Sequence, residues 1–212
     1  MIVTIANQKG GAGKTTVAVS LAAEWQKRGL RVLLVDADPQ GTAQTWASVA
    51  TEDDREPPHV ISLTDGKRIA AQVPGMAEAY DAVVIDSPPR IGSTQRGALV
   101  VSDIAIIPIG SGGPEAWALT ETLEVVEEAQ ALRPELVVRL LRNRLRPGTR
   151  LDGGTAEMLG EQDLEVLKTS FGLRVAFVEA ITAGMGPTEY ESEGRAAAEV
   201  RQLADEIERV LN

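Results

Sequence analysis

The stretch Gln8-Lys9-Gly10-Gly11-Ala12-Gly13-Lys14-Thr15-Thr16 decides how this sequence is read. An apolar run over residues 2–6 leads into it, and Val17, Leu21 and Trp25 follow it at helical spacing. The glycines therefore occupy a turn from a buried strand into an amphipathic helix, which is the context a phosphate loop requires. Gly10, Gly11 and Gly13, with the small Ala12 between them, let backbone N–H groups converge on one point, and the helix N-terminus adds its positive dipole end. Lys14 supplies a point charge to terminal phosphates. Thr15, followed by Thr16, offers a hydroxyl to Mg²⁺.

The common spacing G-x-x-x-x-G-K-S/T is not kept, because position 8 is Gln. What stands instead is Lys-Gly-Gly-x-Gly-Lys-Thr-Thr, with an additional cation at Lys9. A lysine on the far side of the loop does not fold back onto the phosphates its own loop holds. It is either a solvated surface side chain or one that reaches across a dimer interface into a partner's nucleotide.

Composition narrows the setting. The chain has 212 residues, which predicts one domain over 1–212. It is 43% hydrophobic but only 3% aromatic, so the core is aliphatic. With 31 acids against 21 Lys and Arg, the net charge of −10 excludes a wholly basic DNA-coating surface and leaves room for a local basic patch. The absence of Cys excludes disulfides, thiolate zinc sites and protein-held iron–sulfur clusters. The single His59 leaves little imidazole chemistry. No apolar run reaches the ~18 residues of a membrane span, and no basic region precedes the first strand, so a cytoplasmic protein without a signal peptide is expected.

Short Val- and Ile-rich runs at 2–6, 31–36, 81–86, 103–108 and 137–141 are apolar on both alternating faces, as strands of a parallel sheet are. Helical stripes lie between and after them: Val17, Leu21 and Trp25 ending at Gly29; Leu119, Leu123 and Val126 within 115–131; Val200, Leu203, Ile207 and Leu211 within 195–211. The alternation predicts an α/β fold with a doubly wound, mostly parallel sheet flanked by helices. The polar stretch over 51–58 reads as a surface connection.

Acids at strand ends face the ligand crevice of such a sheet. Asp36 closes the second run, inside Val35-Asp36-Ala37-Asp38-Pro39-Gln40-Gly41. A dinucleotide-binding fold would put it on a ribose hydroxyl, which the Gly-Lys-Thr-Thr loop argues against. Asp86 closes Val83-Val84-Ile85-Asp86, a Walker B pattern that holds Mg²⁺ through water, with a helix N-cap acid as the plainer reading. The stiff connection Ser87-Pro88-Pro89-Arg90-Ile91-Gly92 follows.

Together these strings resemble the deviant Walker A P-loop NTPases of the ParA/MinD superfamily, and within it the small ParA-type partition and positioning ATPases. The family's signature lysine falls on Lys9 and its phosphate-loop lysine on Lys14; the string around Asp36 and Asp38 resembles its switch I, and the connection after Asp86 its switch II. The resemblance implies ATP and Mg²⁺ as ligands and slow hydrolysis until a partner acts. It implies that Asp38 orients the attacking water and that Asp36 supports the Mg²⁺ shell. It implies that Asn143 reads the adenine, although a turn residue at that place needs no such role, and that Gly184-Met185-Gly186-Pro187-Thr188 closes over the base. Pro108, Gly113-Pro114 and Trp117 fall where the family builds part of its dimer interface, and a loop-and-core role fits them nearly as well.

The resemblance further implies an ATP-bound homodimer that binds DNA nonspecifically over the nucleoid, with a cargo-adaptor protein of ParB or McdB type stimulating hydrolysis. Cargo would be a plasmid, a chromosome region or a protein compartment such as the carboxysome. Five arginines and no acid lie between Arg139 and Arg150, so Arg142, Arg144 and Arg146 are candidate phosphate contacts, joined by Lys168, Arg174, Arg195 and Arg201; solvated strand-flanking charge is the alternative. Membrane anchoring is not expected, because the polar face of the last helix is mainly acidic. A metabolic ATP-dependent enzyme of the same superfamily, of dethiobiotin-synthetase or amidase type, is the competing expectation.

Overall fold

The structure, a computed structural model, describes residues 1–90, 92–110, 113–146 and 164–211, without the side chains of 113–118. The elements are β1 (Ile2–Ile5), α1 (Lys14–Lys27), β2 (Val32–Asp36), α2 (Thr42–Glu52), β3 (His59–Ser62), α3 (Gly66–Ala77), β4 (Ala82–Asp86), α4 (Gly92–Leu99), β5 (Ile104–Ile109), α5 (Gly113–Gln130), β6 (Val137–Leu145), β7 (Val166–Gly172), α6 (Val175–Thr182), α7 (Pro187–Tyr190) and α8 (Arg195–Leu211).

Among the described residues the seven strands form one sheet in the order β3-β2-β4-β1-β5-β6-β7, and all six pairings are parallel. The chain steps outward to one side of β1 through β2 and β3. It returns through β4 and then steps to the other side through β5, β6 and β7. The winding direction thus reverses beside β1, and in an open α/β sheet that reversal opens a ligand crevice beyond the carboxyl ends of the strands.

Each sheet face buries alternate side chains of the same strands. Val3, Ile5, Leu34, Val84 and Ile106 pack with Val17, Leu21 and Trp25 of α1 and with Val200, Leu203 and Ile207 of α8. Ala105, Ile107 and Leu140 pack on the opposite face with Leu119, Leu123 and Val126 of α5, and Leu33, Val83 and Ile85 with Ile69 and Val73 of α3. Helix α1 ends as its glycine predicts. Gly29 has φ 89°, Gly29 N–H donates to Gln26 O at 2.8 Å and Leu30 N–H to Trp25 O at 3.1 Å, which together form a Schellman cap.

The structure departs from the sequence reading in four places. Strands β3 and β7 and helices α2, α3, α4, α6 and α7 are additional elements. The stretch read as a surface connection over 51–58 begins inside α2, which continues to Glu52. The fifth run does not stop at 141: β6 extends to Leu145, so Asn143 lies in the strand rather than after it. Pro108, a candidate interface residue, is buried within β5. Its missing N–H does no harm there because β1 pairs with β5 only through Ile5↔Ile106, and its carbonyl accepts a 2.7 Å hydrogen bond from Asn7 Nδ2. The side chains of Gly113-Pro114 and Trp117, and all of Ile91 and Arg150, lie outside the described residues.

Candidate nucleotide site

The loop from β1 to α1 is built on two left-handed glycines, Gly11 at φ 75° and Gly13 at φ 88°, a conformation costly for any residue with a Cβ. Gly13 is fixed for a second reason: a Cβ there would stand 2.4 Å from Asn143 Nδ2. Three carbonyls of the loop take side-chain donors. Lys14 Nζ donates to Lys9 O at 3.1 Å, Arg144 Nη1 to Gly11 O at 2.7 Å and Asn143 Nδ2 to Ala12 O at 2.8 Å. The base of the loop is tied to the other elements through buried amides. Gln8 N–H donates to Thr122 Oγ1, Gln8 Nε2 to Gln95 Oε1, and Gln95 Nε2 to both Asn7 O and Pro88 O.

Lys14 is only 6% exposed; burial pushes its ammonium down, and the charges of Asp86 and Asp38 oppose that shift. Asp86 is fully buried, and neither of its carboxylate oxygens has a hydrogen-bond partner. Burial pushes its carboxyl up to about 7; the nearby Thr15 hydroxyl favours the charged form without reaching ordinary hydrogen-bond geometry, and the Asp36 charge disfavours it. A buried carboxylate left without a donor is costly unless a cation compensates it. Among the described residues no three His, Cys, Asp or Glu cluster closely enough to cage a metal ion. A site of one or two carboxylates completed by a hydroxyl, phosphates and water is the form Mg²⁺ adopts, and Asp86 with Thr15 fits it.

Asp36 is equally buried but occupied: Oδ1 accepts from Asp38 N–H at 3.2 Å and Oδ2 from Gln44 N–H at 3.0 Å, so it holds the first turn of α2. Burial raises its pKa against the pull of those N–H groups. Asp38 is partly exposed and its Oδ1 accepts from Gln40 N–H at 2.9 Å. Both acids enter from the carboxyl end of β2, paired Asp36↔Asp86 across the sheet.

A cavity of about 380 Å³ is lined by Gly13, Lys14, Thr15, Asp38, Asn143 and Arg144 on its polar side, while Asp36, Asp86 and Lys9 are not among its lining residues. Its apolar wall is Leu173, Phe177 and Val178, from the β7–α6 junction. The sequence reading missed this wall, where Leu173 is 50% and Val178 66% exposed, because it missed β7, the strand that delivers Leu173. The stretch Gly184–Thr188 does not line the cavity. It packs on α1 and α2 instead, with Met185 O accepting from Trp46 Nε1 at 3.1 Å and Thr188 O from Lys27 Nζ. A Cβ on Gly184 would meet Ala50 N at 2.5 Å.

The candidate DNA-contacting arginines differ in what they contact. Arg144 is on the phosphate loop. Arg142 Nη2 donates to Lys168 O at 3.1 Å, Arg174 pairs with Glu199 through Nε at 3.0 Å, and Arg201 donates to Ser192 O. Arg146 and Arg195 are exposed.

Residues 3–188 match the family model described as the CobQ/CobB/MinD/ParA nucleotide binding domain. The chain is 33% identical over 213 residues to the maintenance of carboxysome distribution protein A of Halothiobacillus neapolitanus, covering 98% of this chain and 93% of that protein. It is 30% identical over 241 residues to the chromosome-partitioning ATPase Soj of Thermus thermophilus, covering 97% and 94%. In structure it is similar to apo McdA of Cyanothece, with a TM-score of 0.74 at 19% identity over 95% of this chain and 98% of that one.

Proposed function

From membership of the CobQ/CobB/MinD/ParA family of nucleotide-binding domains, to which this chain belongs, we propose an ATPase that positions cargo by cycling between an ATP-bound dimer and free subunits. The observation that carries the proposal is the pairing of a glycine-built phosphate loop with a buried, unpartnered Asp86 beside it. Gly10, Gly11, Ala12 and Gly13 present backbone N–H groups to the phosphates, and Lys14 carries charge to their terminal end. Thr15 and Asp86 would hold Mg²⁺, while Asp36, whose two oxygens accept from backbone N–H groups, orders the β2–α2 connection that carries Asp38. Mg²⁺ supplies neutralisation of charge on the β- and γ-phosphates. Asp38, on the exposed rim, positions the attacking water, and Lys9 reaches the phosphates of the nucleotide in the partner subunit. The adenine lies toward Asn143 and the apolar wall of Leu173, Phe177 and Val178.

The relatives named for carboxysome distribution and chromosome partitioning support the positioning role. In this reading the ATP-bound dimer holds nonspecific DNA through exposed cations such as Arg146 and Arg195, with Arg142, Arg174 and Arg201 bordering them, at the nucleoid. An adaptor protein triggers hydrolysis and release. No helix of the described residues is long and apolar enough to cross a membrane.

The test is turnover and mobility shift on plain duplex DNA. The wild type with ATP and Mg²⁺ should retard duplex in a salt-sensitive way, and ADP should not support retardation. Lys14→Ala should bind neither nucleotide nor DNA. Duplex retardation independent of nucleotide, or none with ATP at low salt, contradicts the positioning role. Unchanged nucleotide affinity in Lys14→Ala contradicts the phosphate-loop reading itself.

A further inference from the structure

The β6–β7 pairing slips its register twice, between Leu140 and Arg142 and again between Arg142 and Leu145. Within the second slip Arg144 takes φ 56°, a left-handed conformation that an arginine adopts only where its surroundings impose it. In a regular strand Asn143 and Arg144 would point to opposite faces. At this irregularity they act together: Asn143 Nδ2 donates to Ala12 O, Arg144 Nη1 donates to Gly11 O, and Arg144 N–H donates to Asn143 Oδ1 at 2.9 Å. Re-aiming a side chain toward an active site is a recurrent use of such strand irregularities.

The consequence lies in peptide geometry. In a planar trans peptide the carbonyl and the following N–H point in opposite directions. Holding Gly11 O therefore directs Ala12 N–H the other way, and holding Ala12 O does the same for Gly13 N–H. Outward carbonyls and inward N–H groups are what make a phosphate-binding nest.

We infer that Arg144 is a positioning residue for the nucleotide: with Asn143 it presets the phosphate loop, and its first role is on the loop rather than on DNA. The inference rests on the loop being a nucleotide site, as proposed above. It assigns the preset to the part of the nest shared by ATP and ADP, so both should depend on it equally.

The most telling variant is Arg144→Gly. Glycine adopts φ 56° without strain, so the fold should be kept while the guanidinium is lost. The thermal midpoint of the nucleotide-free protein should be no lower than wild type. Affinity for the fluorescent mant derivatives of ATP and of ADP should fall by about tenfold alike, the scale of one charge-assisted hydrogen bond. Arg144→Lys should recover part of the affinity through its single ammonium. Unchanged affinity for both nucleotides, a loss confined to ATP, or a loss accompanied by a lower thermal midpoint each overturns the assignment. Failure of the wild type to bind either nucleotide would instead remove the site reading on which it stands.

Discussion

Asp86 shows how one residue trades stability for chemistry. Its carboxylate is buried at the end of β4 with no donor on either oxygen, and burial holds its pKa near 7. A neutral isostere removes the uncompensated charge. Asp86→Asn should therefore raise the stability of the metal-free protein by about 1–3 kcal/mol in urea unfolding at neutral pH. The same variant should lose about 10–100-fold of its Mg²⁺-dependent turnover. A variant less stable than wild type, or one with undiminished turnover, contradicts the reading of Asp86 as a cation-awaiting group. Asp36, one strand away, shows that burial at a strand end is not enough: both its oxygens already serve the backbone of the β2–α2 connection. The sequence marks the two acids alike, and only the tertiary hydrogen bonds tell them apart.

At the scale of elements, Glu206 of α8 is the tie between the last helix and the edge strand β7. It accepts from Lys168 N–H at 2.8 Å, Thr169 N–H at 2.9 Å and Thr169 Oγ1 at 2.7 Å. Burial alone would raise its carboxyl, but these donors outweigh it and hold the pKa below the usual carboxylate range. A lowered acid contributes stability above its unfolded pKa and loses it as pH falls through the folded value. Glu206→Gln should thus cost about 1–2 kcal/mol at pH 7. The gap from wild type should close as pH falls through and below the carboxylate range, followed by denaturant midpoints across that range. A gap that persists in acid, or none at pH 7, contradicts the tie.

The same elements show what the sequence could disclose. Central strands buried on both faces announce themselves as continuous Val and Ile runs, as Val83-Val84-Ile85 does. Edge strands do not: β3 is His59-Val60-Ile61-Ser62, half solvated, and in β7 the exposed Lys168 interrupts the buried positions Leu167 and Thr169. The carboxyl half of β6 was hidden by Arg142, Asn143 and Arg144: the last two serve the phosphate loop, and Arg142 donates to Lys168 O of β7. The loop and the acids Asp36, Asp38 and Asp86 could be singled out because each sits in a short local string, as in Val83-Val84-Ile85-Asp86. The apolar wall and the clamp were not, because β6 and β7 reach the site from the far side of the sheet.

Across the whole molecule, ion pairs such as Arg28 with Asp205 and Arg133 with Asp103 join some of the described charges, and the net charge of the chain is −10. Two such subunits repel at long range, so association needs a ligand that supplies attraction at close quarters. The phosphate loop opens at the carboxyl edge of the sheet on a cavity that Lys14 and Asp38 both line, and in the proposed function a nucleotide there presents its terminal phosphate toward Asp38. A second lysine in the loop, Lys9, is accounted for if that phosphate is shared with another copy of the chain. The most direct measurement is sedimentation velocity of Asp38→Ala, which should retain ATP unhydrolysed, beside Asp38→Ala with Lys9→Ala added. The account predicts a dimer of the first protein in saturating ATP and Mg²⁺, a monomer in ADP, and a monomer of the doubly substituted protein at the same ATP occupancy. A fully ATP-loaded Asp38→Ala protein that sediments as a monomer would contradict it.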